Sequence, residues 1–244
     1  MTICDADKSS RCENGKRPHH IQIWIWLIAL IALDWVIGRG FSWLVNIANL
    51  NNGTRSYYQT VLVSGINTAI LNFLIHWLPQ AIILFLVTVF VLARFRIGLS
   101  SLFGASIMRI VRWFIIGSLL FVCYHIVINL VGKRSLAISP DMLESPFKFV
   151  GLYIVRFLPS AFAEETVYRG GIFNILNKAY GQNKALVVSV LIFALGHGYG
   201  GWWLMANSII LGTMFTVLYL KTKSLLPGII VHTISNVTYA ILNY

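Results

Sequence analysis

Charged side chains are scarce in this sequence. Only 11% of its 244 residues are Asp, Glu, Lys or Arg, only 8 residues are acidic, and 57% are hydrophobic. A soluble globule of this size needs many more polar side chains to cover its surface. The composition therefore excludes an ordinary soluble enzyme and indicates a protein that is embedded in a lipid bilayer.

Cysteine is also sparse, with 3 residues in the chain. Cys4, Cys12 and Cys123 show neither the spacing of metal ligands nor that of a redox pair. Cys123 lies inside an apolar run, where a cysteine usually serves as a small hydrophobic residue. These positions argue against a disulfide framework and against a cysteine-bound metal.

The net charge of +11 does not indicate nucleic-acid binding. The cations lie between apolar runs and form no single stripe, which is typical of topology signals in membrane proteins. They gather in alternate loops, apart from Lys133, Arg134 and Lys148, so we expect the N-terminus to be cytoplasmic. The cations of the predicted cytoplasmic segments are Lys8, Arg11, Lys16, Arg17, Arg94, Arg96, Arg109, Lys178, Lys184, Lys221 and Lys223.

Apolar runs long enough to cross the bilayer predict an all-α fold, a polytopic transmembrane helical bundle of about seven to eight spans. A polar segment occupies residues 1–20, membrane helices follow over 21–145, and residues 146–244 carry the polar motifs described below, all within one integral-membrane domain. Pro159 predicts a kink or break in the fourth span. The expected spans are 21–37, 77–92, 110–131, 149–176, 185–195, 202–220 and 226–242, with one more possible around 60–75.

One acidic residue falls in the first span. An ionisable group inside a membrane helix is costly, and it needs a partner or a function. Arg39 follows Asp34 closely in the sequence. We interpret the two as an ion pair at the membrane interface.

Glu164 and Glu165 are adjacent acids in an apolar segment. In a helix their side chains point about 100° apart, and Arg169 lies one turn after Glu165 on the same face. An ion pair between Glu165 and Arg169 leaves Glu164 facing elsewhere, in the buried surroundings that suit a general base. The alternative is a salt bridge at a helix end.

Two histidines and an asparagine complete the polar set. His197 ends a short apolar run beside several glycines, and His232 lies one turn before Asn236 on the last span. A histidine and an asparagine at this spacing suit either a metal ligand with an amide neighbour or two donors to an oxyanion. Chance placement of so many polar groups on three apolar helices is a poor explanation, so we interpret them as one site.

Three motifs carry a resemblance to a known family. They are EExxxR at Glu164 to Arg169, FxxxH at Phe193 to His197, and HxxxN at His232 to Asn236. In this order they resemble the CAAX protease and bacteriocin-processing family of intramembrane proteases, over roughly residues 150–243. The first 145 residues match nothing beyond membrane helices.

The resemblance implies an intramembrane endopeptidase of a bacterial cell membrane that cleaves a membrane-embedded or lipidated peptide. It implies that Glu164 and His197 activate water, that His232 and Asn236 stabilise the oxyanion, and that Glu165 and Arg169 hold the first motif in shape. The cofactor stays open. Zinc bound by Glu164, His197 and His232 is one alternative, and a glutamate mechanism without metal is slightly favoured because the sequence lacks HExxH.

Two functions of other classes remain open. A non-catalytic immunity or scaffold protein would use the same residues as a buried network that fixes helix packing. A proton-coupled transporter would use Glu164 and the histidines as a relay, although no internal repeat is visible. No oligomeric state is predicted.

Overall fold

The computed structural model of the protein describes residues 20–49, 73–104, 106–132, 146–198 and 201–242. Every regular element within these ranges is helical, as the sequence predicts. Two segments are π-helices, π1 before α2 and π2 after α5. In chain order the elements are α1 His20–Asn49, π1 Phe73–Trp77, α2 Leu78–Arg94, α3 Ser100–Phe103, α4 Ile107–Gly132, α5 Pro146–Glu165, π2 Thr166–Phe173, α6 Asn174–Tyr180, α7 Gln182–Gly196, α8 Gly201–Thr222 and α9 Leu226–Leu242.

Three of the described helices are long and apolar enough to cross a membrane. The crossing segments are His20–Ile37, Ile107–Ile128 and Gly201–Thr222, whereas Leu78–Arg94 and Gln182–Gly196 are shorter apolar helices. Many large apolar side chains point outward, including Ile107 at 72% and Met108 at 75% exposure. An apolar exterior is what a bilayer favours, so this is an integral membrane protein. The predicted count of seven to eight spans is not confirmed, and most of the extra segment at 60–75 lies outside the described residues.

The segment 149–176 was expected to be one helix with a kink or break at Pro159. Helix α5 continues through Pro159 to Glu165 without a break, and a change of helix type follows as π2. All eight residues of π2 are buried. Because π-helices close i to i+5 hydrogen bonds, π2 changes which neighbours the side chains after Glu165 can reach.

Small residues let π2 lie at the centre of the bundle. A Cβ atom on Gly170 would lie 3.2 Å from Leu102, and one on Gly171 would lie 3.2 Å from both Leu30 of α1 and Thr88 of α2. Lipid tails are as apolar as helix side chains, so the hydrophobic effect does not drive helices together inside a bilayer. Small residues instead allow the close backbone packing that holds membrane helices together. Around this centre, α5 packs along α9 and α7 packs along α8.

Basic residues gather at one end of the bundle. The Lys178 ammonium group donates to the carbonyl oxygens of Phe95 at 3.0 Å and Arg96 at 3.5 Å, and the Gly104 amide donates to the Lys223 carbonyl at 3.1 Å. His20, at the start of α1, bonds the Tyr180 hydroxyl at 3.1 Å near the same end. The fold therefore brings cations at or just after the ends of α2, α6 and α8 to one end of the bundle.

Candidate active site

Glu164 is the last but one residue of α5, and its carboxylate lies between two histidines. Its Oε2 atom is 3.8 Å from Nε2 of His197 and 3.8 Å from Nε2 of His232. Its other oxygen, Oε1, accepts a hydrogen bond from Ser160 at 3.3 Å. Oε2 is buried and accepts no hydrogen bond within the described part of the chain. Because no hydrogen bond within these residues occupies its lone pairs, this oxygen can accept a proton.

Glu165 turns in another direction and joins two different partners. Its Oε1 atom accepts from Arg169 Nη1 at 2.9 Å, which is the contact that the i, i+4 spacing predicts. The same oxygen lies 2.9 Å from Nδ1 of His232. Because this oxygen belongs to an ion pair and only accepts, His232 must donate from Nδ1. Glu165 thus sets the orientation and the tautomer of His232.

Arg169 is enclosed on every side, with a side-chain exposure of 2%. Besides Glu165, it donates to the Gly212 carbonyl at 3.0 Å and to the Thr216 hydroxyl at 3.4 Å. Its guanidinium group lies 4.4 Å from the ring centre of Phe193 and 5.4 Å from that of Phe215. The ion pair, the hydrogen bonds and the two rings together compensate a charge that would otherwise be very costly in a membrane.

His197 follows the end of α7 and presents the opposite nitrogen to Glu164. Its Nδ1 atom lies 2.9 Å from the Phe193 carbonyl oxygen, which can only accept, so Nδ1 carries a proton. In the neutral ring, Nε2 then has a lone pair that faces Glu164. The same reasoning applies to His232, whose Nδ1 donates to Glu165. Oε2 of Glu164 and the two Nε2 atoms are therefore three acceptors that face one another.

The comparison with known families agrees with this geometry. Residues 146–238 match a family model described as Rce1-like, a type II CAAX prenyl endopeptidase. This segment is Rce1-like. The resemblance predicted from the three motifs is thereby confirmed for residues 146–238, which match a family of CAAX prenyl endopeptidases. No curated protein and no solved structure gave a significant match.

Glu164, His197 and His232 are the residues that would bind a zinc ion in this segment. Ligand atoms of a tetrahedral zinc lie about 3.3 Å apart, given bonds of about 2.0 to 2.1 Å. Glu164 Oε2 is 3.8 Å from each of its two histidine neighbours. Among the residues that the structure describes, no group of three or more His, Cys, Asp or Glu residues has the arrangement of a metal site. Both distances are thus about 0.5 Å longer than the separation of two ligands of one bound zinc.

Five of the six expected site residues lie together within the Rce1-like segment, joined by ion pairs or close approaches. They are Glu164, Glu165, Arg169, His197 and His232. Asn236 follows His232 by one turn of α9 and is half-buried, so the two share one side of that helix. Phe193 and Tyr168 border the site with their rings 5.1 Å apart in an edge-to-face arrangement. His232 in turn stacks on Phe215, with ring centres 4.7 Å apart.

Sequence reasoning missed one residue at the site. Asp34 of α1 was expected to pair with Arg39 at the interface, but its Oδ2 atom accepts a hydrogen bond from the Tyr168 hydroxyl at 3.3 Å. The Arg39 side chain lies outside the described residues. A signal was present in the sequence, since Asp34 continues the spacing of the apolar positions 23, 27 and 30, which face the bundle. That spacing assigns Asp34 to the buried face.

Proposed function

We propose that this protein is an intramembrane endopeptidase that hydrolyses a membrane-embedded or lipidated peptide with water activated by Glu164. The observation that carries the proposal is the buried Oε2 atom of Glu164, which lies 3.8 Å from Nε2 of His197 and 3.8 Å from Nε2 of His232. The Rce1-like match of residues 146–238 supports the same reaction class and a prenylated type of substrate.

In the proposed reaction, a water molecule donates one hydrogen to Glu164 and the other to His197. Its oxygen attacks the carbonyl carbon of the scissile peptide bond while Glu164 takes the proton. The carbonyl oxygen becomes an oxyanion. Collapse of this intermediate breaks the C–N bond, and Glu164 returns its proton to the departing amine. Water is thus added across the peptide bond, with no change of oxidation state.

His232 and Asn236 are the proposed partners of the oxyanion. The Asn236 amide can donate directly. His232 already donates from Nδ1, so donation from Nε2 requires the doubly protonated ring. Glu165, at 2.9 Å from Nδ1, supplies the negative charge that stabilises such a cation.

The membrane orientation is part of the proposal. We place the N-terminus and the end of the bundle where the basic residues gather on the cytoplasmic side of a bacterial cell membrane. With a rise of about 1.5 Å per residue, Asp34 lies about 21 Å along α1 from His20, which is at that end. On this orientation the site lies deep in the bilayer, where water must enter through a polar opening.

The test is cleavage of a prenylated C-terminal peptide by the purified protein in lipid nanodiscs. Glu164→Gln and His197→Ala should each reduce the rate by at least about a hundredfold, since general acid and base catalysis contributes about 10² to 10⁴ in rate. His125→Ala is the matched control, because His125 packs against Phe121 on α4 and takes no part in the site. Equal cleavage by wild type and Glu164→Gln would refute the proposal and favour a structural role for the polar residues.

A further inference from the structure

We propose that Asp34 is a positioning residue of the active site, which acts through Tyr168 to hold the segment that carries His197. The inference rests on the proposed function for its catalytic meaning, but its structural part can be tested without catalysis. Asp34 belongs to α1, outside the residues that match the Rce1-like family.

The location of Asp34 is the first support. In α1 the side chains of Ile23, Leu27 and Leu30 are exposed by 1% or less, and Asp34 extends this stripe by one turn. The neighbouring side chain of Val36 is 62% exposed on the outer surface. An acid on the inward face of a membrane helix is costly to keep, so its partner inside the bundle is a functional candidate.

The second support is the antiparallel register between α1 and the segment that follows Glu165. Residue 20 meets Tyr180 and residue 30 meets Gly171, so residue 34 falls opposite Tyr168. The contact between Asp34 and Tyr168 is therefore fixed by the packing of a whole helix. It is also close to the site, since the Tyr168 ring packs against Phe193, whose ring in turn lies beside those of His197 and His232.

The third support is what Tyr168 touches on its other side. Its ring, 5% exposed, packs edge-to-face against Phe193 at 5.1 Å. The Phe193 carbonyl receives the Nδ1 hydrogen of His197 at 2.9 Å. The Tyr168 hydroxyl also lies 3.2 Å from where a Cβ atom of Gly196 would be. A hydrogen bond to Asp34 thus holds the ring against the end of α7, and this fixes the nitrogen of His197 that faces Glu164.

Cleavage kinetics test the catalytic consequence. Asp34→Ala and Tyr168→Phe should each lower kcat about five- to twentyfold with KM within about twofold, because the pair orients the site without touching substrate. The double variant should be no slower than either single variant, since both remove one interaction. Asp34→Asn keeps an acceptor oxygen and should restore kcat to within about threefold of wild type. Val36→Ala is the control on the outer face of α1.

A second readout does not need activity. His197 has a side-chain exposure of 23% against 5% for His232, so diethyl pyrocarbonate should modify His197 first, with His232 as the protected reference. Asp34→Ala and Tyr168→Phe should raise the His197 modification rate at least about threefold, whereas Asp34→Asn and Val36→Ala should leave it unchanged.

The two measurements separate the two proposals. If wild type cleaves no peptide, the proposed function fails, and the modification rate of His197 alone decides the role of Asp34. An unchanged His197 rate in Asp34→Ala overturns the positioning role whatever the activity. An active wild type with an unchanged kcat in Asp34→Ala overturns it as well.

Discussion

The buried ion pair between Glu165 and Arg169 allows stability to be separated from chemistry. Glu165 is 1% exposed and Arg169 is 2% exposed, whereas Glu164 is 22% exposed and its Oε2 atom has no bond within the described residues. We therefore expect Glu164→Gln and Glu165→Gln to affect the protein differently, although they are the same chemical change at adjacent positions. Both should abolish cleavage, but only the second should destabilise the fold.

The size of the difference follows from burial. Breaking a buried ion pair by removing one charge costs about 3 to 5 kcal/mol, because the other charge is left uncompensated. Gln keeps the shape of Glu and can still accept from Arg169, so about 3 kcal/mol is expected for Glu165→Gln. At about 2 to 4 °C per kcal/mol for a chain of this size, the Tm should fall by about 6 to 12 °C. Glu164→Gln should stay within about 2 °C of wild type.

Tryptophan fluorescence of the detergent-purified protein during heating measures the Tm of each variant, since the chain contains 8 tryptophans. Equal Tm values for wild type and Glu165→Gln would refute the reasoning, because the ion pair would then contribute no more than its desolvation costs. A large fall in Tm for Glu164→Gln would also contradict it, since that carboxylate would then be a structural group and not a poised base.

Three further outcomes are expected. Gly212→Ala should lower the Tm through overpacking of about 1 to 3 kcal/mol, because the added Cβ would lie 2.9 Å from Phe193, while Gly98→Ala, with its nearest contact at 3.4 Å, should not. Asn174→Ala should cost about 1 to 3 kcal/mol in the same melting assay, since its amide donates to the Gly170 carbonyl at 2.8 Å. Cleavage should survive exhaustive chelation with EDTA, and a loss that zinc restores would contradict the glutamate mechanism.

Local spacing along the sequence was enough to predict much of the site. An acid and an arginine four residues apart meet on one helix face, and so do His232 and Asn236. The boundaries of the last helix, Leu226–Leu242, were also predicted, because an apolar run between a basic loop and the end of the chain marks both of its limits. The contact between Glu165 and Arg169 forms even though Arg169 lies in π2.

The partner of Asp34 could not be predicted in the same way. Tyr168 is 134 residues away in the sequence, whereas Arg39 is close and of opposite charge, so a local pattern indicates Arg39 alone. The contact with Tyr168 follows only from the packing of α1 against π2. The π-helix itself was not predicted. The Asn174 side chain donates locally to the Arg169 and Gly170 carbonyls, and it also donates to the Tyr219 hydroxyl of α8, a tertiary contact that spacing along the chain does not reveal.

The π-helix explains how one short segment can connect Glu164 and Glu165 to helices on different sides. Two consecutive residues of π2, Tyr168 and Arg169, reach Asp34 of α1 and the Gly212 carbonyl of α8. Glu165, immediately before π2, joins Arg169 to His232 of α9. A change in the packing of α1 or α8 would therefore be passed through π2 to the position of Glu164 and both histidines. The motifs supply the polar residues of the candidate site, but their geometry also depends on α1, which lies outside the Rce1-like residues.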